Sequence, residues 1–218
     1  LIRDTLTLNP LLGDPDKALD VSTGSIYKGA LVFAHTKGGL GNTGIGREAL
    51  KNATAGFSNT ALGDRALFTN TTGNANTACG DRALFSNTAA YNNTAVGFKA
   101  LFSNTTGPGN TASGNQALYS NNTGGGNTAT GGRGLFANVS GSNNTADGYA
   151  ALTSNTTGAN NTACGSRVMV SNTTGSNNTA VGHRAFYTNT TGSSNAANGK
   201  EALFSNNIGS RNTASGAL

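Results

Sequence analysis

The chain has 218 residues, of which 11% are charged, with 32 Gly, no Trp and a net charge of +5. A globular domain is about a quarter charged, and a disordered chain combines high net charge with no pattern, so this composition fits neither class. No apolar run approaches the roughly 20 residues of a helical membrane span, and the basic balance comes from few acids rather than from Lys/Arg runs of the nucleic-acid type.

The chain opens at Leu1 rather than Met and without a signal-peptide pattern, so a leader or preceding segment is expected to have been removed. Thr5-Leu6-Thr7-Leu8 alternates like a strand, Asn9-Pro10 and Asp14-Pro15 mark turns, and Leu19 and Val21 alternate again. Residues 1–24 are expected to form an N-terminal cap or a junction to an upstream segment. Residues 25–41 are expected to be a degenerate first coil, because Gly29 and Phe33 fall where positions 5 and 9 of a repeat would lie.

From Asn42 onward a 17-residue unit repeats without insertion or deletion. Its first residue is Asn42, Asn59, Asn76, Asn93, Asn110, Asn127, Asn144, Asn161, Asn178, Asn195 and Asn212. The consensus is N-T-A-x-G-x-x-A-L-F-S-N-T-T-G-x-x. Seventeen residues with Gly at positions 5 and 15 cannot hold two helices. Constant length instead points to coils stacked in register, where each residue returns above its counterpart and one deletion would break every ladder. The sequence therefore predicts an all-β, parallel β-solenoid (a β-roll) of about eleven coils over residues 42–218, roughly 50 Å long at about 4.8 Å per coil.

The columns carry distinct roles. The invariant Asn at position 1 suggests a stacked amide ladder, and the Gly columns mark corners that need positive φ or close approach. Position 9 is the expected coil-interior ladder: Leu50, Leu67, Leu84, Leu101, Leu118, Leu135, Leu152, Met169, Phe186 and Leu203. Position 10 carries Phe68, Phe85, Phe102, Tyr119, Phe136, Tyr187 and Phe204, but also Lys51 and Thr153. Neighbours in a strand face opposite ways, so two adjacent apolar columns need two burial sites. The aromatic column is accordingly expected to pack against another chain in a homotrimer.

Position 7 forms a broken basic ladder of Arg65, Arg82, Lys99, Arg133, Arg167 and Arg184. It reads either as a solvated edge that keeps a fibre soluble or as a multivalent surface for anionic polysaccharide or lipopolysaccharide. Cys79 and Cys164 share position 4 five coils apart, about 24 Å along the axis and beyond disulfide reach. They read as replacements for the Val, Leu or Ser of other coils, with an intermolecular bond as the alternative. The Asn-x-Thr sequons at Asn70, Asn104, Asn155, Asn172 and Asn189 lie in the N-T-T-G turn and read first as turn chemistry, second as glycan acceptors. Leu218 ends mid-coil, an open edge that invites end-to-end stacking.

Asn93–Gly97 and Asn178–Gly182, N-T-A-V-G, followed by Ala100–Gly107, A-L-F-S-N-T-T-G, resemble repeats of bacterial and phage fibre-like surface proteins. They also look like a longer relative of the N-S-V-A-I-G coils of trimeric autotransporter adhesin heads. Pro15–Gly24 is similar to the P-x-x-K-L-D-V-x-G junction found before such repeats in tail-fibre-type proteins. The resemblance implies a left-handed β-roll trimer exported to a surface, often with a C-terminal chaperone domain. These 218 residues depart from that pattern in coil length and in carrying neither a coiled-coil stalk nor a chaperone domain.

Catalytic chemistry is not expected. His35 and His183 do not recur and have no nucleophile or carboxylate set around them. The nine acids hold no common repeat position of the calcium-solenoid kind, no Cys/His spacing suggests zinc, and Gly124-Gly125-Gly126 is a repeat turn rather than a phosphate loop. No cofactor, nucleic-acid partner or membrane insertion is expected. The function expected is a structural or adhesive fibre segment, extracellular or at a cell surface, or alternatively on a virion. The alternatives are a glycan-binding shaft of a phage tail fibre, using position 7 and the aromatics, and an ice-binding solenoid using the Thr column at position 2.

Overall fold

The computed structural model describes residues 25–28, 31–35 and 38–217. The expected cap over 1–24 and Gly29 lie outside the described residues. Strands β1 (Ser25–Lys28) and β2 (Leu31–His35) precede eleven three-residue strands, from β3 (Thr43–Ile45) and β4 (Thr60–Leu62) to β13 (Thr213–Ser215). Each of these eleven covers positions 2–4 of one repeat. The thirteen strands form one sheet in chain order. From β3 to β13 all pairing is parallel and in exact repeat register, as in Thr60↔Thr77, Ala61↔Ala78 and Leu62↔Cys79. The chain is an all-β parallel solenoid with a 17-residue coil.

The segment expected as a degenerate coil folds otherwise. β1 and β2 form an antiparallel pair, Lys28 opposite Leu31, and β2 runs antiparallel to β3, with His35 opposite Gly44. Residues 25–41 lack N-T-A and N-T-T-G, so nothing there specifies the coil's corners. Phe33 lies in a strand instead of at a coil's position 9. The hairpin covers the edge of β3 that would otherwise be an open pairing template.

Each coil is built from local backbone preferences. β-branched Thr at position 2 favours extended backbone. Gly at position 5 then turns the chain at φ between +101° and +144°, a region closed to other residues; at Gly114, with φ +144°, an added Cβ would lie 2.5 Å from the Gly131 carbonyl oxygen. Positions 6–11 form a tight turn run in which positions 7 and 9 are left-handed, as at Arg65 (φ 53°) and Leu67 (φ 51°).

That run corrects the strand geometry assumed for A-L-F. Side chains alternate faces only in extended backbone, and here positions 8 and 9 both turn inward, Ala66 and Leu67 being fully buried. The aromatic at position 10 turns out and is half-buried against its own chain. Its apolar character does not require a second chain.

Backbone hydrogen bonds tie coils together all around the circumference. Thr60 N donates to Asn76 O (2.9 Å), Leu67 N to Ala83 O (3.0 Å), Thr71 N to Thr88 O (3.0 Å) and Gly80 N to Leu62 O (2.8 Å). Every side of the coil is a ladder, so a length change on any side would put all the others out of register.

Candidate functional site: a cationic and aromatic rail

The interior is filled and ordered by two amide ladders. At position 1, Asn59 donates its backbone N–H (2.8 Å) and its Nδ2 (3.0 Å) to Asn42 Oδ1, and its Nδ2 also reaches Gly73 O (2.8 Å). A second ladder at position 12 runs in parallel. Asn87 Nδ2 donates to Asn70 Oδ1 (2.7 Å), Asn121 Nδ2 to Asn104 Oδ1 (2.8 Å) and Asn138 Nδ2 to Asn121 Oδ1 (2.7 Å). The position-15 carbonyl joins the two: Gly73 O accepts from both Asn59 and Asn70 Nδ2. Glycine occupies nine of the ten position-15 sites and a Cβ on Gly73 would run into Asn70 Oδ1 and Ala90 O, although the column admits Ala90 one coil on.

The second ladder overturns the glycan-acceptor reading of the sequons. Asn70, Asn104, Asn155, Asn172 and Asn189 are 0% exposed, and the Nδ2 that would carry a sugar is a donor inside the coil. Position 12 is Asn in nine of its ten occurrences, Ala53 being the exception, and that recurrence was the signal for a second interior column.

The apolar interior holds Leu67, Leu84, Leu101, Leu118, Leu135, Leu152, Met169 and Phe186, all fully buried, with Leu203 partly buried against them. Alanines at positions 3 and 8 line the remaining wall.

Outside, the aromatic column stacks on itself. Phe68, Phe85, Phe102, Tyr119 and Phe136 form one continuous pile with centroids 5.1–5.2 Å apart and planes within 9° of parallel. Thr153 and Val170 interrupt it, and Tyr187 and Phe204 resume it. The ring faces are therefore turned to one another and the edges outward.

Position 7 lies beside this pile. Lys99 Nζ sits 5.6 Å from the Phe102 centroid and 5.1 Å from that of Phe98. The Arg133 guanidinium is 5.2 Å from Phe136, and that of Arg184 is 5.0 Å from Tyr187 and 4.8 Å from Phe204. Lys51, at position 10 itself, caps the pile 5.5 Å from Phe68. The three-residue spacing between the columns had not disclosed this contact, which depends on the left-handed turn.

Charge is segregated onto this side. Residues 38–217 hold ten Lys/Arg and five Asp/Glu. Nine of those ten bases occupy positions 6, 7 or 10, Arg211 being the exception. Pairing is concentrated toward the first coils and at Glu201. Arg47 forks onto Asp64 (2.6 and 3.0 Å), Glu48 takes Lys51 (2.6 Å) and Arg65 (2.8 Å), and Arg184 meets Glu201 (3.2 Å). Hydrogen bonds from Lys51 and Arg65 hold the Glu48 carboxyl below its ordinary range, and the bond from Arg47 does the same for Asp64. Arg82 lies 3.8 Å from Asp81. Among the described residues Lys99, Arg133 and Arg167 form no ion pair.

The flat parallel sheet makes a different face. The Thr column at position 2 points outward beside position 4, where Leu62, Val96 and Val181 are 45%, 41% and 41% exposed. Position 4 is chemically mixed (Ile45, Ser113, Thr130, Asp147, Asn198), so a T-x-T pair occurs only at Thr128 and Thr130. Cys79 and Cys164 are free thiols on this same face. Among the described residues no group of three or more His, Cys, Asp or Glu is arranged to hold a metal ion. No family model, curated protein or solved structure matches the chain.

Proposed function

We propose that this chain is a structural shaft segment of an extracellular or surface fibre, homotrimeric in the assembled fibre as the autotransporter-head resemblance implies. The observation that supports it is the pair of unidirectional Asn ladders, one from Asn42 to Asn212 and one from Asn70 to Asn189, that run along the coil stack. A buried amide column has hydrogen-bond partners only when the coils above and below are in place. Such a core stiffens a rod along its axis.

In this reading the contact between chains lies on the flat face rather than on the aromatic column. Rings stacked at 5.2 Å beneath cations already have their faces covered, whereas Leu62, Val96 and Val181 stand exposed on a flat, nearly charge-free sheet. Sedimentation and electron microscopy test both clauses. A trimeric rod that dissociates on Val96→Asp/Val181→Asp but not on Phe102→Ser is expected. A stable monomer at high concentration overturns the multi-chain fibre, and dissociation by Phe102→Ser alone overturns the placement.

A further inference from the structure

The geometry points to a linear binding site for an acidic polysaccharide, laid along the solenoid axis over the bases of position 7 and the ring edges of position 10. It is a property of one chain, so its failure would leave the shaft reading untouched.

Two columns share one backbone conformation and differ in what they accept. Positions 7 and 17 are both left-handed, with φ near 55° in coil after coil. Six of the ten residues at position 17 are the types that conformation favours, Asn92, Gly109, Gly126, Asn143, Asn160 and Asn177, the others being Ser58, Ala75, Ser194 and Arg211. Position 7 holds no Gly or Asn in any of its eleven occurrences, although the chain contains 32 Gly. It carries Arg or Lys six times, against a strain of about 1 kcal/mol per residue. A backbone requirement would select Gly there; a side-chain requirement selects Arg.

The bases are held in a form suited to an anion. A guanidinium within cation–π distance of a ring keeps N–H groups for a bidentate carboxylate or sulfate. Arg133, 5.2 Å from the Phe136 centroid and in no ion pair, is held so, whereas Arg184 beside Tyr187 and Phe204 gives its Nη1 to Glu201. Between Arg82 and Lys200 the only acid is Asp147, which stands on the flat face at position 4. The potential along this stretch is therefore of one sign, the condition for gathering a long anion.

Spacing selects the class. Arg82, Lys99, Arg133 and Arg167 follow one another at intervals of one or two coils, about 5 to 10 Å. Acidic polysaccharides bear one carboxylate or sulfate per one or two sugar rings, a period of the same order. Duplex DNA carries one charge per about 1.7 Å of axis, and single strands bind by stacking bases on exposed ring faces, which this pile keeps covered. Carboxylated and sulfated chains share the chemistry recognised here.

The experiment compares the full chain with R82Q/K99Q/R133Q/R167Q, which keeps polar stems and removes charge. Each is titrated with polygalacturonate, dextran sulfate, unmodified dextran and poly(dT) at 50 and 200 mM salt. Binding of one or both acidic polysaccharides and not of dextran is expected, weakening by about fifty-fold over that salt range if four contacts each release about 0.7 counterion. At least a tenfold loss is expected in the glutamine variant at unchanged melting temperature; which of the two acidic chains binds more tightly identifies the source. If the fourfold variant unfolds early, R133Q/R167Q is read against R133K/R167K, of which only the lysine pair should bind. No binding of either acidic chain, equal binding by the glutamine variant, or tighter binding of poly(dT) overturns the proposal.

Discussion

Asn76 donates both its backbone N–H (3.0 Å) and its side-chain Nδ2 (3.1 Å) to the single Oδ1 of Asn59, one coil away. The same side chain bonds the Ala90 carbonyl at 2.8 Å. One residue type thus links coil to coil and wall to wall, and removing one such amide leaves buried partners on both sides of it.

Asn104→Ala should lower stability by roughly 2–4 kcal/mol, because Asn87 Oδ1 and Asn121 Nδ2 both lose their ladder partner inside the coil. The neighbouring outward residue provides the comparison, and Ser103→Ala should stay within about 0.5 kcal/mol. Chemical denaturation of the two variants, read by circular dichroism, checks the difference; equal effects would mean the ladder is not the structural element described.

Interior and exterior apolar columns should separate by size of effect. Leu118→Ala opens a cavity in a fully buried site and should cost about 2–5 kcal/mol. Tyr119→Ala removes two stacking contacts at 5.2 Å from a half-buried ring and should cost about 1–2 kcal/mol. The same denaturation measurement ranks them.

Gly114→Ala should cost about 3 kcal/mol or more, because φ +144° is closed to alanine and its Cβ would meet the Gly131 carbonyl at 2.5 Å. Two residues on, Gln116→Asn should be neutral or stabilising by up to about 1 kcal/mol, since Asn tolerates the φ of 56° that Gln adopts there. Opposite signs in melting temperature are expected.

Register makes a further prediction at the level of whole coils. Deleting residues 110–126, one complete unit, should give a shorter rod that still folds cooperatively. Deleting 110–125 shifts every later ladder by one residue and should abolish cooperative unfolding of the downstream coils. Hydrogen exchange of residues beyond the deletion reads the outcome.

Stability should be flat from pH 8 to 5 and fall only in acid. The Glu48 and Asp64 carboxyls are depressed by their Lys and Arg partners. Their contribution is therefore present above the unfolded values of about 4.3 and 3.9 and lost as pH falls through the lower folded ones. Both groups are solvent-accessible, so the effect is small, and Glu48→Gln should reduce it further. Thermal melts across the range give the sign directly.

Much of the fold was legible before any coordinates, because a repeat displays in one dimension what stacking displays in three. Seventeen residues without an indel, Asn at position 1, Gly at 5 and 15 and Leu at 9 suffice for a parallel solenoid with an Asn ladder and an apolar interior. Three features depended on the tertiary structure. The left-handed conformation at Arg65 and Leu67 could not be read from residue type, since neither Arg nor Leu advertises positive φ; only that bend puts Leu67 inside, Phe68 outside and the bases against the rings. The burial of Asn70 and Asn104 depended on which wall the N-T-T-G turn closes, and it changed sequons into interior donors. The hairpin of β1 and β2 arose where the repeat's corner residues are missing and β-forming Leu31-Val32-Phe33 was free to pair antiparallel. Composition and period thus determined that the chain stacks. Backbone handedness within each coil, which depends on ladder bonds to the coils on either side, decided which side chains the stack presents.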